Sequence, residues 1–454
     1  MQISQPMSTR QSSPLWGVLA AFLVIGYLVA TRSFAYLGLP PLFISEICLF
    51  AFLLLKSRAS ISVWMSGLVR TTELSGLSVA IYVLLIFGVF ELVRGIFLLG
   101  LPPLTAAQNL VLNYYPFYIF LGLYAANGRP DRLPRIIRIL AWVNGVYGIA
   151  YIAVLNRIEV LVPNSDVPLF GQPAGSAVAI IGLLCFERRI WTISIPLILN
   201  AAVLLGVQVR AEWLGLALGL IIWMVVTKQV RRVAIGAMTI AALLVVGYIG
   251  DIAIPSPVSR GGAAGSVISA RDIIGRAIAP FDEGLASRYT ETADLYAGTA
   301  EFRTVWWGAI WSSVHADPVT TLIGHGYGYP LARLVPSLSD RTDIRTPHNV
   351  LFYALGYGGW LGVFVLVFFQ GALLALLWRA SKTSGQPFGM ILLTMSLGVA
   401  LFSNFFETPL GAIPLYVLLG MSLAPALERR AVNELPSQLT FSPAFPGFVP
   451  TERL

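Results

Sequence analysis

The chain has 454 residues, 57% of them hydrophobic and only 11% charged, with a formal net charge of +8 and a mean hydropathy of +0.77. A soluble chain carries roughly 25% charged residues, so no soluble arrangement hides this apolar surplus. The composition excludes a soluble enzyme, a nucleic-acid binder and a disordered scaffold. It points to a polytopic membrane protein.

The first 13 residues are polar, and the apolar run from Leu15 has no small-residue cleavage pattern after it, so it reads as a retained first helix. A hydrocarbon core of about 30 Å needs roughly 20 apolar residues per helix. Such runs occur about twelve times, near 15–31, 35–55, 75–98, 108–127, 136–155, 173–187, 190–207, 211–227, 233–250, 349–378, 387–404 and 409–426. Pro40-Pro41 and Pro116 predict kinks in the second and fourth. Cys48 and Cys185 both sit inside apolar runs, which leaves no disulfide framework and no cysteine metal site.

The basic residues are sorted. Alternate connections hold Arg10; Lys56, Arg58 and Arg70; Arg129, Arg132, Arg135 and Arg138; Arg188 and Arg189; Lys228, Arg231 and Arg232; Arg379 and Lys382; and Arg429, Arg430 and Arg453, which is 18 of the 30. The short connections opposite hold only Arg32, Arg157 and Arg210, with Arg94 near the end of its span. By the positive-inside rule the rich side is cytoplasmic and both termini lie there. The net charge is thus mostly an orientation signal.

Residues 251–347 stand apart as a polar connection of 97 residues with eight Arg, no Lys and ten Asp or Glu. The alternation places it outside the cytoplasm, and a connection of that length is usually functional. Within it, Phe302, Trp306, Ile310 and Val314 recur at helical spacing between Thr299 and Val314, with Trp307 and Trp311 beside them. This predicts an amphipathic helix whose aromatic face suits the membrane interface. The expected organisation is a membrane domain over 1–250, a loop domain over 251–347, a second membrane part over 348–430 and a tail over 431–454.

The end of the loop reads R-T-P-H-N-V-L-F-Y-A-L-G-Y-G-G-W-L-G-V-F, residues 345–364. It resembles the signature of the bacterial O-antigen ligase family and its relatives, the lipid-linked polysaccharide polymerases. That family shows a His-Asn pair at the end of a large periplasmic loop, then a helix with glycine spacing like that of Gly356, Gly359 and Gly362. Two more stretches agree: Arg303 leading into W-W-G-A-I-W and then D-P-V-T-T-L-I-G-H-G-Y-G (317–328), and V-R-A-E-W-L-G-L-A-L (209–218). The last is similar to the family's Ser-Arg-Gly opening of a span, but has Val209 for Ser and Ala211 for Gly.

The resemblance implies an all-α membrane enzyme of the GT-C class in the inner membrane, an inverting glycosyltransferase needing neither metal nor cofactor. The donor would be a glycan on undecaprenyl diphosphate, and the acceptor either lipid A–core or another lipid-linked glycan, amid membrane lipids. It assigns His348 as the general base and Arg210 and Arg303 as holders of the diphosphate. Arg341, Arg345 and Asn349 are possible supporting residues.

Physics alone gives the same positions a weaker meaning. His348 precedes a run too long for the bilayer, so it belongs near a head group, and neighbouring Arg341 and Arg345 favour its neutral form. It also suits a surface or helix-capping histidine, a role Asn349 could fill. Arg210 between two spans is either a phosphate ligand at a helix start or a snorkelling side chain. Arg303 can pair with a phosphate, with Glu301 or Asp317, or with lipid. Gly324, Gly326 and Gly328 predict a tight turn, since no βαβ unit surrounds them. Asp282-Glu283 and Asp340 with Asp343 could meet a divalent ion, but no histidine joins them. Glu46, Glu91 and Glu407 lie near predicted span ends and read as interfacial. A transporter or flippase of lipid-linked oligosaccharide is the alternative, and would need charges lining a path at mid-span.

Overall fold

The computed structural model describes residues 14–39, 42–57, 75–162, 167–187, 189–255, 267–290, 293–336 and 346–433. The described chain is helical apart from two short antiparallel strand pairs, Gly38–Leu39 with Leu42–Phe43 and Ala253–Pro255 with Val267–Ser269. The principal helices are α1 (Pro14–Ile25), α2 (Ile44–Ser57), α3 (Ser75–Val93), α4 (Tyr118–Ala126), α5 (Arg132–Ala153), α6 (Ser176–Phe186), α7 (Ile190–Val207), α8 (Arg210–Thr227) and α9 (Val230–Ile249). Then come α10 (Ala270–Ile278), α11 (Ala293–Val314), α12 (Pro318–Ile323), α13 (Val350–Ser384), α14 (Phe388–Ala400) and α15 (Pro409–Asn433). Among the described residues, four helical stretches are long and apolar enough to cross a membrane: Gly76–Leu98, Arg132–Ala153, Arg210–Thr227 and Val350–Ser384. The remaining apolar helices among the described residues are shorter, so twelve crossings stay an expectation of the hydropathy pattern.

Glycine sets the closest helix contacts. A Cβ on Gly420 of α15 would strike the Ile119 carbonyl of α4, and one on Gly122 would strike the Val417 carbonyl. In the same way Gly215 of α8 lies against Val399 and Met395 of α14, and Gly398 of α14 against Leu218. Gly215 meets Val399 and Gly219, one turn on, meets Met395, so the numbers run in opposite directions and α8 and α14 are antiparallel. The main apolar core runs from Trp16 of α1 to Ala424 of α15 and takes in Trp306, Ile310 and Val314 of α11, with two small satellite clusters beside it.

Two predicted spans differ. The run 108–127 is broken into Pro103–Asn109, Val111–Tyr114, a 3-10 turn at Tyr115–Phe117 and α4. Pro116 lacks the N–H a continuous helix needs, and Asn109 and Asn113 carry tertiary hydrogen bonds to Tyr353 and Leu84. The run 35–55 becomes helical only at Ile44, after the first strand pair; Pro40-Pro41 lie outside the described residues.

The helix predicted from Thr299 is found as α11, but its aromatic face does not lie on a membrane surface. Trp306, Ile310 and Val314 are all fully buried, and Trp306 Nε1 donates to Leu331 O at 3.0 Å. The face pattern was read correctly and its partner was not, because periodicity shows that a face is apolar but not what covers it. Two of the three predicted interfacial acids are also buried, Glu91 completely and Glu407 at 7% exposure. Glu46 is half-buried and bonded to Ser45 and Tyr114.

Candidate functional site

Asn349 starts α13. Its Oδ1 accepts from Leu351 N and Phe352 N at 2.9 and 3.2 Å, capping two of the helix's orphan donors. Its Nδ2 donates to Leu401 O at 3.0 Å, just beyond the end of α14. The capping reading therefore belongs to Asn349, which leaves His348 for other work. His348 has a φ of +53°, a left-handed conformation uncommon for a side chain with a Cβ and of the kind that gathers at functional sites.

α11 brings Arg303 to this histidine. Trp307 stacks on Phe352 with ring centroids 5.3 Å apart and planes at 7°, and its Nε1 donates to Pro347 O at 2.8 Å. Arg303 lies one turn earlier on the same helix, so it shares the face that holds 347–352. Burial first, and then the Arg303 charge, push the His348 imidazole down to about 4. Burial also lowers the Arg303 guanidinium. The sequence assigned the lowering of His348 to Arg341 and Arg345, which lie outside the described residues; burial and Arg303 produce it here.

The other two histidines have their rings engaged. His315 Nδ1 meets Trp311 O at 2.7 Å and its Nε2 accepts from Trp360 Nε1 at 3.3 Å. His325 Nε2 meets Ser313 Oγ at 2.9 Å, and the ring stacks on Tyr329. Among the described residues no hydrogen bond holds the His348 ring.

Arg210 begins α8, behind Gln208 in a left-handed turn and Val209 as an N-cap with no side-chain acceptor. The α8–α14 register pairs Gly215 with Val399 and Met395. Carried five residues back, about 7.5 Å of helix, it puts Arg210 level with the turn after Ala400. That turn contains Leu401, the partner of Asn349. The loop reaches the same place: Gln208 Nε2 lies 3.4 Å from Asp272 Oδ2, and Asp272 is held by Arg276 at 2.7 Å and Thr290 at 2.9 Å. The structure thus brings Arg303 near enough for its charge to act on His348, and ties Arg210 to them through α14 and Asn349.

Gly324, Gly326 and Gly328 make the predicted tight turn, with φ of +64°, +83° and +94°. Asp282 caps a short helix through Leu285 N. Asp340 and Asp343 lie outside the described residues.

Two residues were missed. Arg94 is buried and donates from Nη1 to Ile323 O at 2.7 Å and from Nη2 to Gly324 O at 2.6 Å. An arginine within an otherwise apolar span was the available signal. Glu407 follows α14, and burial raises its carboxyl to about 8. Its own amide and that of Phe406 face it, but neither oxygen meets a donor in hydrogen-bonding geometry among the described residues. No local pattern marks that burial.

Residues 195–367 match the family model described as O-Antigen ligase. The match covers α8, the 251–347 segment and the first half of α13, the stretch that carries all three motifs and Arg210, Arg303 and His348. This supports the resemblance: the matched segment is similar to an O-antigen ligase-like family, whose members include ligases and polymerases of lipid-linked glycans. No curated protein sequence matches the chain.

Proposed function

We propose that the chain is a glycosyltransferase moving a glycan from an undecaprenyl-diphosphate carrier to an acceptor hydroxyl at the periplasmic face of the bacterial inner membrane. The observation that carries this reading is the proximity of His348 to Arg303, a half-buried histidine held neutral beside a cation within the family-matched segment. The acceptor hydroxyl attacks the anomeric carbon, the bond from that carbon to the phosphate oxygen breaks, and the configuration inverts. His348 takes the hydroxyl proton, and undecaprenyl diphosphate leaves with its charge held by Arg210 and Arg303. Val209 leaves the first α8 amides uncapped by a side chain, so they add to the Arg210 charge toward a phosphate.

An imidazole near 4 is a weak base in the empty site. Donor binding brings anionic charge beside it, opposes the effect of Arg303 and raises its basicity. The base would therefore strengthen when there is a reaction to catalyse.

The proposed frame is of the GT-C type, with twelve crossings, both termini cytoplasmic and 251–347 as a periplasmic domain over the site. The acceptor is lipid A–core for a ligase and a second lipid-linked repeat unit for a polymerase. A transporter reading finds less support, because the buried Glu91–Arg94 pair fastens backbone carbonyls rather than facing a path. The deciding experiment is gene deletion with analysis of surface polysaccharide. Intact lipid-linked chains that fail to be attached identify a ligase, chains stopped at one repeat unit identify a polymerase, and an unchanged glycan profile overturns the proposal. In purified protein, EDTA is expected to leave transfer unchanged; lost activity would overturn the metal-free mechanism.

A further inference from the structure

The helix that carries His348 at its start is interrupted nine residues later. Gly359 leaves helical geometry at φ +59° and ψ −158°, so the segment from Val350 to Gly358 ends with carbonyls that have no partner in the following turn. The 323–328 turn supplies the missing donors. His325 N donates to Gly356 O and Gly326 N to Tyr357 O, both at 2.9 Å. Gly324 and Gly359 meet backbone to backbone, each lacking the Cβ that would fall on the other.

Arg94 fastens this turn from behind. It stands where α3 passes into a π-helical turn, Arg94–Leu98, and it is 6% exposed. Its two Nη atoms reach two successive carbonyls, Ile323 O and Gly324 O, and Glu91 lies 3.5 Å from its Nε. A planar fork can bridge two carbonyls in this way, whereas a lysine offers a single point of contact. Gly95 lies so close to Tyr327 O that a side chain there would strike it. One guanidinium therefore ties α3 to the turn, and the turn completes the segment that begins at His348.

We infer that Arg94 is a positioning residue for the transfer site: through the Ile323–Gly326 turn it sets where the Val350–Gly358 segment holds His348. The inference rests on reading His348 as the general base, but its geometric half can be tested without substrate. Arg94 itself does not bind the donor, since it is 6% exposed and both its Nη atoms are committed to backbone carbonyls.

The test uses the purified full-length protein in lipid nanodiscs, with diethyl pyrocarbonate as the probe and peptide mass spectrometry as the readout. Arg94→Ala is expected to speed modification of His348 several-fold while the protein keeps its melting profile. Its kcat is expected to fall about tenfold or more, as displacement by an ångström does, with the donor KM little changed. The acid limb of kcat/KM is expected to move to higher pH as His348 gains solvent, a shift that general destabilisation would not produce. Arg94→Lys, which keeps the charge and loses the fork, should fall between. Wild-type labelling of His348 in folded Arg94→Ala, or in Arg94→Lys if the alanine variant does not fold, overturns the inference. So does failure of both variants to fold, which would make Arg94 a folding residue. Faster labelling in a protein that transfers no glycan even as wild type would keep the positioning and sink the functional reading instead.

Discussion

The Arg94 joint and the Arg303–His348 face both lie against α13, and each withdraws an arginine from solvent. Arg94 is met by two carbonyls at 2.6–2.7 Å and a carboxylate. Arg303 has burial as the cause of its lowering, with no carboxylate among the described residues opposing it, and its charge falls instead on His348. A buried cation is costly unless paired. The joint removes that cost within the protein, while the face retains it beside a strained histidine. On the proposed reading, this difference separates an arginine that positions the site from one prepared for an anionic ligand.

The comparison is easiest to break at His348. His348→Ala should lower glycan transfer by about 10²–10⁴-fold, the usual contribution of a general base, while donor binding and melting behaviour persist. Full transfer by a folded variant would remove the base from the face. Next comes Arg303→Ala, expected to cost about 10²–10³-fold in transfer and to weaken donor binding, with Arg303→Lys recovering part of it. Arg210→Ala should act in the same direction. Donor affinity untouched in both alanine variants would take these arginines out of donor binding.

The pH dependence sharpens the same contrast. His348 must be neutral to act, so the acid limb of kcat/KM, which reports the free enzyme, should lie near pH 4. The limb of kcat should lie higher, because the bound diphosphate opposes Arg303. Coincident limbs would show that the diphosphate does not sit beside the histidine. The same depressed value means that this site's stability is lost as the pH falls from 6.5 through about 4.

The smallest expected effect is at Glu407. Its carboxyl is raised from 4.5 to about 8, so its contribution is complete below 4.5 and lost as the pH rises through about 8. Glu407→Gln should therefore raise the melting temperature at pH 8 and leave it nearly unchanged at pH 5. An equal shift at both values would argue that the raised carboxyl is not the source.

Much of this was legible in the chain. Apolar runs and the Pro116 break follow from local propensity and the cost of unsatisfied backbone in a membrane. The Gly324, Gly326 and Gly328 turn follows from the freedom glycine has at positive φ. His348, Arg303 and Arg210 were found by their ordered motifs rather than by any single residue. Arg94 and Glu407 escaped for a common reason: their meaning depends on partners or burial supplied by segments far away in sequence. Arg94 joins carbonyls 229 and 230 positions distant.

By itself, then, the sequence determined the helical, strongly apolar class and the family resemblance of its 195–367 segment, because hydropathy and motif order are local. Tertiary structure alone decided which charges were satisfied and which were left exposed to a ligand. It buried Trp306 of α11 inside the protein, put Arg303 near His348, and gave Arg94 to the backbone. Those outcomes rest on desolvation and on hydrogen bonds between distant segments, and neither quantity exists until the chain has folded.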